Sequence, residues 1–373
     1  MRVRWLAAAF ALGLVASACG NDGDATGGPT GGETGGTQPG EGLRVAFVYD
    51  GEIDDGGWNE AHRSGAQHVQ DQLPAAEITH VESIAPGDQA RATFEDLAAQ
   101  EYDLIVGTTF FHDDVFAVAP DFPDVKFVSW ATYETAENIG GYDAASEEGR
   151  YLDGIIAGSV TESNIIGYPG GFPLPEAIRA INTFTLGALS VNPDVKVIPV
   201  YVNSWYDPPK EREAAQSLVD RGADVLAHEL NSPAVASVAV NNGIYHMGYG
   251  WDQSARGPES WLGSFTFNWG PYYLSQAQTV LDGTWEPELY YGGIAADIIG
   301  QAPTGPAVPE SATDLVEKTE GEIAAGTFDI FAGPITDNQG NVEIPEGETV
   351  PFEERVTCCN WYVQGVQGEV PAS

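Results

Sequence analysis

The order of strand-like and helix-like segments constrains this chain more than any other feature of its sequence. From Leu43 onward, short β-rich runs alternate with stretches whose apolar residues recur at helical spacing, as in RVAFVYD followed by NEAHRSGAQHVQDQL. One such series runs to about residue 145, and a second occupies residues 146–250. Alternating strands and helices predict a parallel sheet with helices on both faces. Two series therefore predict an α/β protein of two lobes, each a doubly wound parallel sheet.

The residues after 250 are predicted to cross between these lobes. The segment SWLGSFTFNWGPYYLSQAQTVLDGTW predicts a strand and a helix that return to the first lobe, and the final stretch returns to the second. We therefore expect an N-terminal lobe of residues 43–145 plus 251–284 and a C-terminal lobe of residues 146–250 plus 285–373. Doubly wound sheets bind ligands at the carboxyl ends of their strands, so the cleft between the lobes is the predicted site.

The first 42 residues predict export and attachment to a membrane. Residues 1–18 combine two arginines, a short apolar run and small residues, the pattern of a secretory signal that is too short to span a bilayer. The small residues before Cys19 are typical of a lipoprotein processing site, so we expect lipidation of Cys19; the alternative is a cysteine that only ends a cleaved leader. Residues 19–42 predict a flexible tether. The expected location is extracytoplasmic, lipid-anchored to the outer face of the cell membrane.

Net charge argues against one class of partner, and cysteine spacing argues against a zinc site. The 55 acids and 15 bases give a net charge of -40, which argues against nucleic acid as a partner. Two explanations of the acid excess are open. It is an adaptation to a saline habitat, in which case added salt should raise the melting temperature of the protein, or the chain is an ordinary acidic secreted protein. Cys358 and Cys359 lack zinc-site spacing. Small buried residues are the favoured reading of this pair, and a bridge between neighbours is the alternative.

The residues that follow the predicted strands alternate aromatic rings with carboxylates and amides. Aromatic faces can stack on a planar heterocycle, at about 1–3 kcal/mol per base, while carboxylates and amides pair with its polar edge. Sugars also lie against tryptophan, so these residue types alone leave a saccharide open. The candidate ligand-binding residues are Asp50, Trp58, Asn59, Thr108, Phe110, Phe172, Trp205, Glu229, Asp252, Asn268 and Trp269.

Trp58 lies on the glycine corner DDGGWNEAH, where the first strand passes into the first helix. We expect its ring to be one plate of a clamp for a planar ligand, although a core tryptophan is the alternative. A clamp role predicts that Trp58→Ala abolishes binding with little change in melting temperature. Asp207, which precedes two prolines, is equally explained as a helix cap.

Catalytic and metal-binding motifs are missing from the sequence. It contains no G-x-S-x-G elbow, no phosphate loop with lysine and no H-E-x-x-H, and its six histidines lack paired ligand spacing. We therefore expect no catalytic residue, no metal and no cofactor. Asp54 and Glu229 leave an extracellular enzyme acting on glycosides as a remote alternative.

Several segments, in a fixed order, resemble the basic membrane protein family of ABC-transporter substrate-binding lipoproteins. They include VAFVYDGEIDDGGWNEAHRSG, NIGGYDAASEEGRYLDGIIAG and the tail CCNWYVQGVQG. The resemblance implies the type I periplasmic-binding-protein fold. It also implies a monomeric receptor that binds a purine nucleobase or nucleoside and delivers it to an ABC permease. A lipid-anchored sensor for a small heterocycle or sugar is the alternative.

The resemblance further implies roles for individual residues. Trp58 takes the stacking position with Asp50 and Asn59 beside it. Phe172 and Trp205 face it from the second lobe, with Asp252 as a polar partner at the hinge side. Nucleoside-binding members carry a lysine after a late strand that holds the ribose hydroxyls. This chain has SFTFNWG there, with no lysine beside Asn268 and Trp269. The resemblance therefore favours a free base over a nucleoside.

Overall fold

Two parallel sheets with the same strand order organise residues 38–371, the part of the chain that the computed structural model describes. The elements of the first series are β1 (Arg44–Val48), α1 (Trp58–Gln72), β2 (Glu77–Val81), α2 (Asp88–Ala99), β3 (Leu104–Gly107), α3 (His112–Val118), β4 (Lys126–Trp130) and β5 (Ile139–Ala144). The predicted signal segment, Cys19 and most of the tether lie outside the described residues.

The second series repeats the pattern of the first. Its elements are α4 (Ser146–Val160), β6 (Ile165–Gly170), α5 (Pro175–Val191), β7 (Lys196–Tyr201), α6 (Pro208–Asp220), β8 (Val225–Leu226), α7 (Ala234–Asn242), β9 (Tyr245–Met247) and β10 (Trp261–Gly263). The remaining elements are β11 (Phe265–Phe267), α8 (Gly270–Leu281), β12 (Leu289–Gly292), β13 (Ile299–Gln301), α9 (Glu310–Ala324), β14 (Ile335–Thr336) and β15 (Val342–Ile344).

The sheet topology confirms the predicted fold class. The first sheet has the order β12-β5-β4-β3-β1-β2 and the second β10-β9-β8-β6-β7, and all neighbouring strands are parallel. Numbered within its own series, each five-strand set reads 5-4-3-1-2. This order places a topological switch point between the first and third strands of each sheet, where ligands of such sheets bind.

The strands are apolar on both faces because helices cover both sides of each sheet. In β1, Val45 and Phe47 pack with residues of α1 and α8, whereas Ala46 and Val48 pack with residues of α2 and α3. Side chains on a strand alternate between faces, so one short run contributes to two separate cores.

Helices α4 and α5 run side by side at very short distance. A Cβ at Gly154 or at Gly187 would lie 2.0 Å from a backbone oxygen of the other helix. Small residues allow this approach, which brings the first turns of the two helices together beside the ends of β5 and β6. That arrangement brings charged residues of the two helices into contact, as with Glu147 of α4 and Arg179 of α5.

Strand pairing differs from the predicted lobe boundaries at two places. β10, at residues 261–263, pairs with β9 and extends the second sheet, whereas β12, at residues 289–292, pairs with β5 and extends the first. The chain therefore crosses between the sheets after β5, through β11 and through β13, and the latter two pair antiparallel. α8 packs on α1, so the strand that follows it completes the edge of the first sheet.

The C-terminal segment packs on the second lobe. Val366 bridges to Val197 of β7, and a disulfide joins Cys358 to Cys359, which is the less favoured of the two alternatives for this pair. No helix within residues 38–371 is long and apolar enough to cross a membrane.

Candidate functional site

A cavity lies where the carboxyl ends of the two sheets face each other. It is lined by Asp50, Trp58, Thr109, Phe110, Trp130, Asp143, Ala144, Ser146, Glu176, Arg179, Trp205, Glu229, Asn231, Tyr249 and Phe267. Apart from Phe267 at the end of β11, these residues lie at or after the carboxyl ends of β1, β3, β4, β5, β6, β7, β8 and β9, so both switch points open into it. We call it the interlobe cavity.

The side of the cavity formed by the first lobe is an aromatic wall of Trp58, Phe110, Trp130 and Phe267. The Trp58 ring centroid is 4.8 Å from that of Trp130 at an interplanar angle of 71° and 5.3 Å from that of Phe267 at 88°. Phe110 meets Trp130 edge to face as well, at 4.8 Å and 73°. These edge-to-face contacts are favourable for aromatic pairs, so the rings hold one another in place.

Trp58 is fixed from behind by the glycine corner. Its indole Nε1 donates to the carbonyl oxygen of Thr108 at 3.0 Å, and only 6% of the residue is exposed. The Asp55 carboxylate accepts from the backbone N–H groups of Gly57 and Glu60, at 2.8 and 3.1 Å, and so caps α1. Gly56 has a φ of 72°, a left-handed conformation that glycine adopts without strain. The corner thus turns sharply and directs the ring inward.

The side formed by the second lobe is a charged wall of Glu176, Arg179 and Glu229. Arg179 is 1% exposed, and its Nη1 donates to the carbonyl oxygens of Arg355 and Val356 at 2.8 and 2.6 Å. Its Nε lies 3.4 Å from the carboxylate of Glu147 in α4. The close pairing of α4 and α5 makes this contact possible.

Burial raises the pKa of the carboxyl groups around the cavity. Desolvation raises the pKa of Glu229 to about 7 and that of Asp143 to about 6, with Arg150 opposing the shift at Glu229 and Arg179 opposing it at Asp143. Desolvation also raises the pKa of Asp50 and of Glu176. The interlobe cavity therefore contains carboxyl groups that can act as hydrogen-bond donors when protonated and as acceptors when ionised.

Two rings from opposite lobes face each other across the cavity. The Phe110 and Trp205 centroids are 6.4 Å apart and their planes differ by only 20°. Phe172 supports the Trp205 ring edge to face at 5.3 Å. This near-parallel pair is the element of the site that spans the cleft.

The structure brings five of the predicted ligand-binding residues to the interlobe cavity and leaves six off its lining. The lining five are Asp50, Trp58, Phe110, Trp205 and Glu229. Three of the others stand directly behind or beside it: Thr108 accepts the Trp58 indole N–H, Phe172 supports Trp205, and Asn59 donates to Asp55 and lines an adjoining cavity.

Asp252, Asn268 and Trp269 do not line the interlobe cavity, contrary to prediction. Asp252 accepts from the backbone of Ser254, and the Asn268 amide donates to Asp297 on the surface. Trp269 is fully buried and stacks on His62 at 4.8 Å and 7°, because it begins α8 on the core side of the first sheet. Asp54 lines the adjoining cavity and not the one that holds Glu229, so the two acids do not form a pair at one site.

Two lining residues were missed although the same rule would have found them. Trp130 and Asp143 lie at the ends of β4 and β5. Arg179 is different, because it lies in the second turn of α5 and reaches the cavity only through helix packing. Among residues 38–371, no group of His, Cys, Asp or Glu is arranged to hold a metal ion.

Comparison with known proteins identifies the family. The sequence model of the family described as ABC transporter substrate-binding protein PnrA-like matches residues 43–324. The chain belongs to this family. Substrate-binding proteins of ABC transporters bind a small-molecule ligand outside the cytoplasm and work with a permease, so the family supports a binding role for this chain.

Two relatives with similar sequences differ in the ligand that their names state. A purine-binding protein of Brucella abortus is 37% identical over 333 residues, which cover 89% of this chain and 95% of the relative. A protein of Haloferax volcanii with the provisional name ABC transporter glucose-binding protein TsgA13 is 37% identical over 351 residues, covering 94% and 87%.

Solved structures agree with the fold. A solute-binding protein of an ABC transporter from Conexibacter woesei superposes with a TM-score of 0.66 at 25% identity and covers 77% of this chain and 98% of its own. A periplasmic solute-binding protein from Actinobacillus succinogenes, solved with bound D-allose, has a TM-score of 0.53 at 12% identity, covers 73% of this chain and 99% of its own, and supports the fold alone.

Proposed function

We propose that this chain is the substrate-binding lipoprotein of an ABC importer and that it holds a purine nucleobase or nucleoside in the interlobe cavity. The observation that carries the proposal is the near-parallel pair of Phe110 and Trp205, which reach the cavity from opposite lobes. Their separation of 6.4 Å is close to the roughly 7 Å that two stacking contacts of about 3.5 Å span. A flat ring fits between them after a small opening.

In this proposal the clamp is formed by Phe110 and Trp205, and Trp58 has a supporting role. The Trp58 ring meets its neighbours at steep angles and belongs to the core of the first lobe. Because Asn268 is held at the surface by Asp297, the missing lysine beside it no longer argues for a free base over a nucleoside. The proposal therefore includes both.

A sugar is the second candidate ligand, and the carboxyl groups favour it. Asp50, Asp143, Glu176 and Glu229 all line the interlobe cavity, and ionised carboxylates accept hydrogen bonds from sugar hydroxyls. The Haloferax relative is named for glucose. Purines take precedence here because two facing rings suit a planar ligand on both of its faces, whereas a sugar ring is puckered.

Calorimetric titration of ligand-free protein tests the proposal. Adenine, guanine, hypoxanthine, adenosine, guanosine and D-glucose are titrated into protein shown by mass spectrometry to carry no ligand. Tight binding of one of the purines, and none of glucose, is expected. Binding of glucose alone would replace the purine with the sugar.

The importer and anchor roles need separate tests in cells. We expect deletion of the gene to abolish uptake of the labelled ligand; unchanged uptake with an altered transcriptional response would favour a sensor. We expect Cys19→Ser to move the protein from the membrane fraction to the medium or periplasm. Retention in the membrane fraction would contradict lipidation at Cys19.

A further inference from the structure

Two guanidinium groups lie among six carboxyl groups at and behind the interlobe cavity. The guanidiniums belong to Arg150 and Arg179; the carboxyl groups belong to Asp50, Asp143, Glu147, Asp153, Glu176 and Glu229. Four of the six, Asp143, Glu147, Asp153 and Glu229, are buried. A buried charge without a partner is strongly disfavoured, so burial favours the protonated form of any of these four that lacks a cation or hydrogen-bond donor.

The distances show which acids pair with the two cations. Arg179 Nε is 3.4 Å from Glu147 Oε2, and Arg150 Nη1 is 3.5 Å from Asp153 Oδ2; all four residues are almost fully buried. Glu229 is the next acid from Arg150, with its Oε1 3.9 Å from Nη2. That separation is too long for a hydrogen bond, and the Arg150–Asp153 contact is likewise an ion pair without a hydrogen bond.

Glu229 is left without a partner for one oxygen. The Nη2 group that lies nearest to it donates instead to the carbonyl oxygen of His228, at 2.7 Å. The residue is 7% exposed, and its Oε2 is buried with no hydrogen-bond partner among residues 38–371. Since Glu229 lines the interlobe cavity, this unpaired carboxyl group is positioned to contact a ligand.

Among residues 38–371, Arg150 is the only positively charged side chain within 4.0 Å of the Glu229 carboxyl group. Tyr168 of β6 and Tyr249, which follows β9, stack around the Arg150 guanidinium at 5.5 and 5.1 Å from their ring centroids. Glu176 and Arg179 face it from α5, the first raising and the second lowering its pKa. His228 is uncharged at neutral pH, because burial lowers its pKa to about 3.

Burial raises the pKa of Glu229 to about 7 and has the same effect on Asp153. The two acids share Arg150, and Asp153 is the nearer one. Asp153 has the shorter contact with Arg150 but does not line the cavity, whereas Glu229 does, so Glu229 is the acid of this pair that a ligand can meet in its protonated form.

We infer that Glu229 binds the ligand as a neutral carboxylic acid, whose O–H donates a hydrogen bond to a lone-pair acceptor such as a ring nitrogen or carbonyl oxygen of a heterocycle. The inference rests on the proposed function, since it assigns a specificity-determining contact within the same cavity. Such a ligand binds poorly to the ionised residue, because two lone pairs then face each other. Sugar hydroxyls can rotate to donate to a carboxylate, so a sugar lacks this dependence.

The expected pH dependence of the dissociation constant follows from the requirement that the protonated form of Glu229 binds the ligand. Below about pH 6 Glu229 is protonated, and the dissociation constant is constant. Above pH 7 the residue must take up a proton to bind, so the dissociation constant rises by up to roughly tenfold per pH unit. At pH 7.5 binding takes up about 0.5–1 proton from the buffer.

Calorimetric titrations at pH 5.5, 7.0 and 8.5 test this pH dependence of the dissociation constant. The ligand is the purine that binds tightest among adenine, guanine, hypoxanthine and adenosine. We expect about tenfold or greater weakening for the natural protein between pH 5.5 and 8.5. Glu229→Gln keeps an N–H donor and should bind at all three values within about threefold. Glu176→Gln is the matched control, which should retain the pH dependence whatever its affinity.

Proton uptake, measured in buffers of different ionisation enthalpy, gives a readout on the natural protein even if the Glu229→Gln variant fails to fold. An affinity that is constant or rises with pH, no proton uptake at pH 7.5, or loss of binding in Glu229→Gln at every pH would overturn the inference. Absence of purine binding at every pH would overturn the proposed function itself, and with it this contact. The two failures are thus distinguishable.

Discussion

The two walls of the interlobe cavity differ in how they are built into the fold. The aromatic wall is continuous with the core of the first lobe, since Trp58 and Phe267 belong to the same buried cluster as Trp269 and Tyr273. The charged wall comes from loops and helix starts after β6 and β8, and only its Arg179 is held by hydrogen bonds and an ion pair. In the proposed function the first lobe provides a rigid aromatic surface for one face of a flat ring, and the second provides Trp205 for the other face together with the charged wall.

Replacement of the aromatic wall's central ring should have the largest effect. Trp58→Ala removes a side chain that is 6% exposed and hydrogen-bonded to Thr108, so the free energy of unfolding should fall by about 3–5 kcal/mol and binding should be lost. Denaturant unfolding and calorimetry measure the two effects. The sequence alone predicts little change in stability, and the structure reverses that expectation.

Trp58→Phe is the control for this change, because it keeps an aromatic ring in the wall and loses the indole N–H. It should lie between the natural protein and Trp58→Ala in both measurements. A Trp58→Ala protein with unchanged stability would mean that the aromatic wall is not part of the first-lobe core.

The charged wall should respond in the opposite direction. Burial raises the folded-state pKa of Glu229 to about 7, above its ordinary value, so its ionisation destabilises the fold. This cost is absent near pH 4.5, grows as the pH rises, and is complete above pH 7. Ligand-free Glu229→Gln carries no charge there. It should therefore be more stable than the natural protein at pH 8, by on the order of 2 kcal/mol, and equally stable near pH 4.5.

Unfolding curves of the two proteins at both pH values measure the difference. The histidines whose pKa burial lowers, such as His228 and His246, contribute equally to both proteins and cancel. Equal stability of the two proteins at pH 8 would show that Arg150 fully compensates an ionised Glu229.

The contrast between the walls also explains what the sequence could predict. The fold followed from apolar periodicity, and the location of Asp50 and Glu229 at the cavity could be predicted because strand ends share an edge of a sheet. Arg179 was missed because its position depends on the close packing of α4 on α5. Trp269 was wrongly included because a strand-end rule does not tell the core side of a helix start from the cleft side. Side-chain direction at helix starts is set by tertiary packing, which a single sequence does not record.

Replacement of Trp205 tests whether this ring of the second lobe contacts the ligand without contributing to the stability of the core. Its side chain is half-buried, so Trp205→Ala should weaken binding about tenfold or more and change the free energy of unfolding by less than about 1 kcal/mol. Tyr206→Ala is the matched control, because this neighbour is 61% exposed and lies only on the adjoining cavity. Equal losses of affinity in the two variants would assign the effect to the loop and not to the ring.

Phe110 should give the smallest effect and the sharpest comparison within one wall. It is 38% exposed, unlike Trp58, although both line the cavity and both contact Trp130. Its partner across the cleft is Trp205, so Phe110→Ala should weaken binding about threefold to tenfold, within the range of about 0.5–1.5 kcal/mol for an aromatic pair. Stability should not change measurably. Phe110→Tyr is the control, because it keeps the ring and should bind with normal affinity. A loss of affinity in Phe110→Ala as large as that in Trp58→Ala would mean that the whole aromatic wall moves together when one ring is removed.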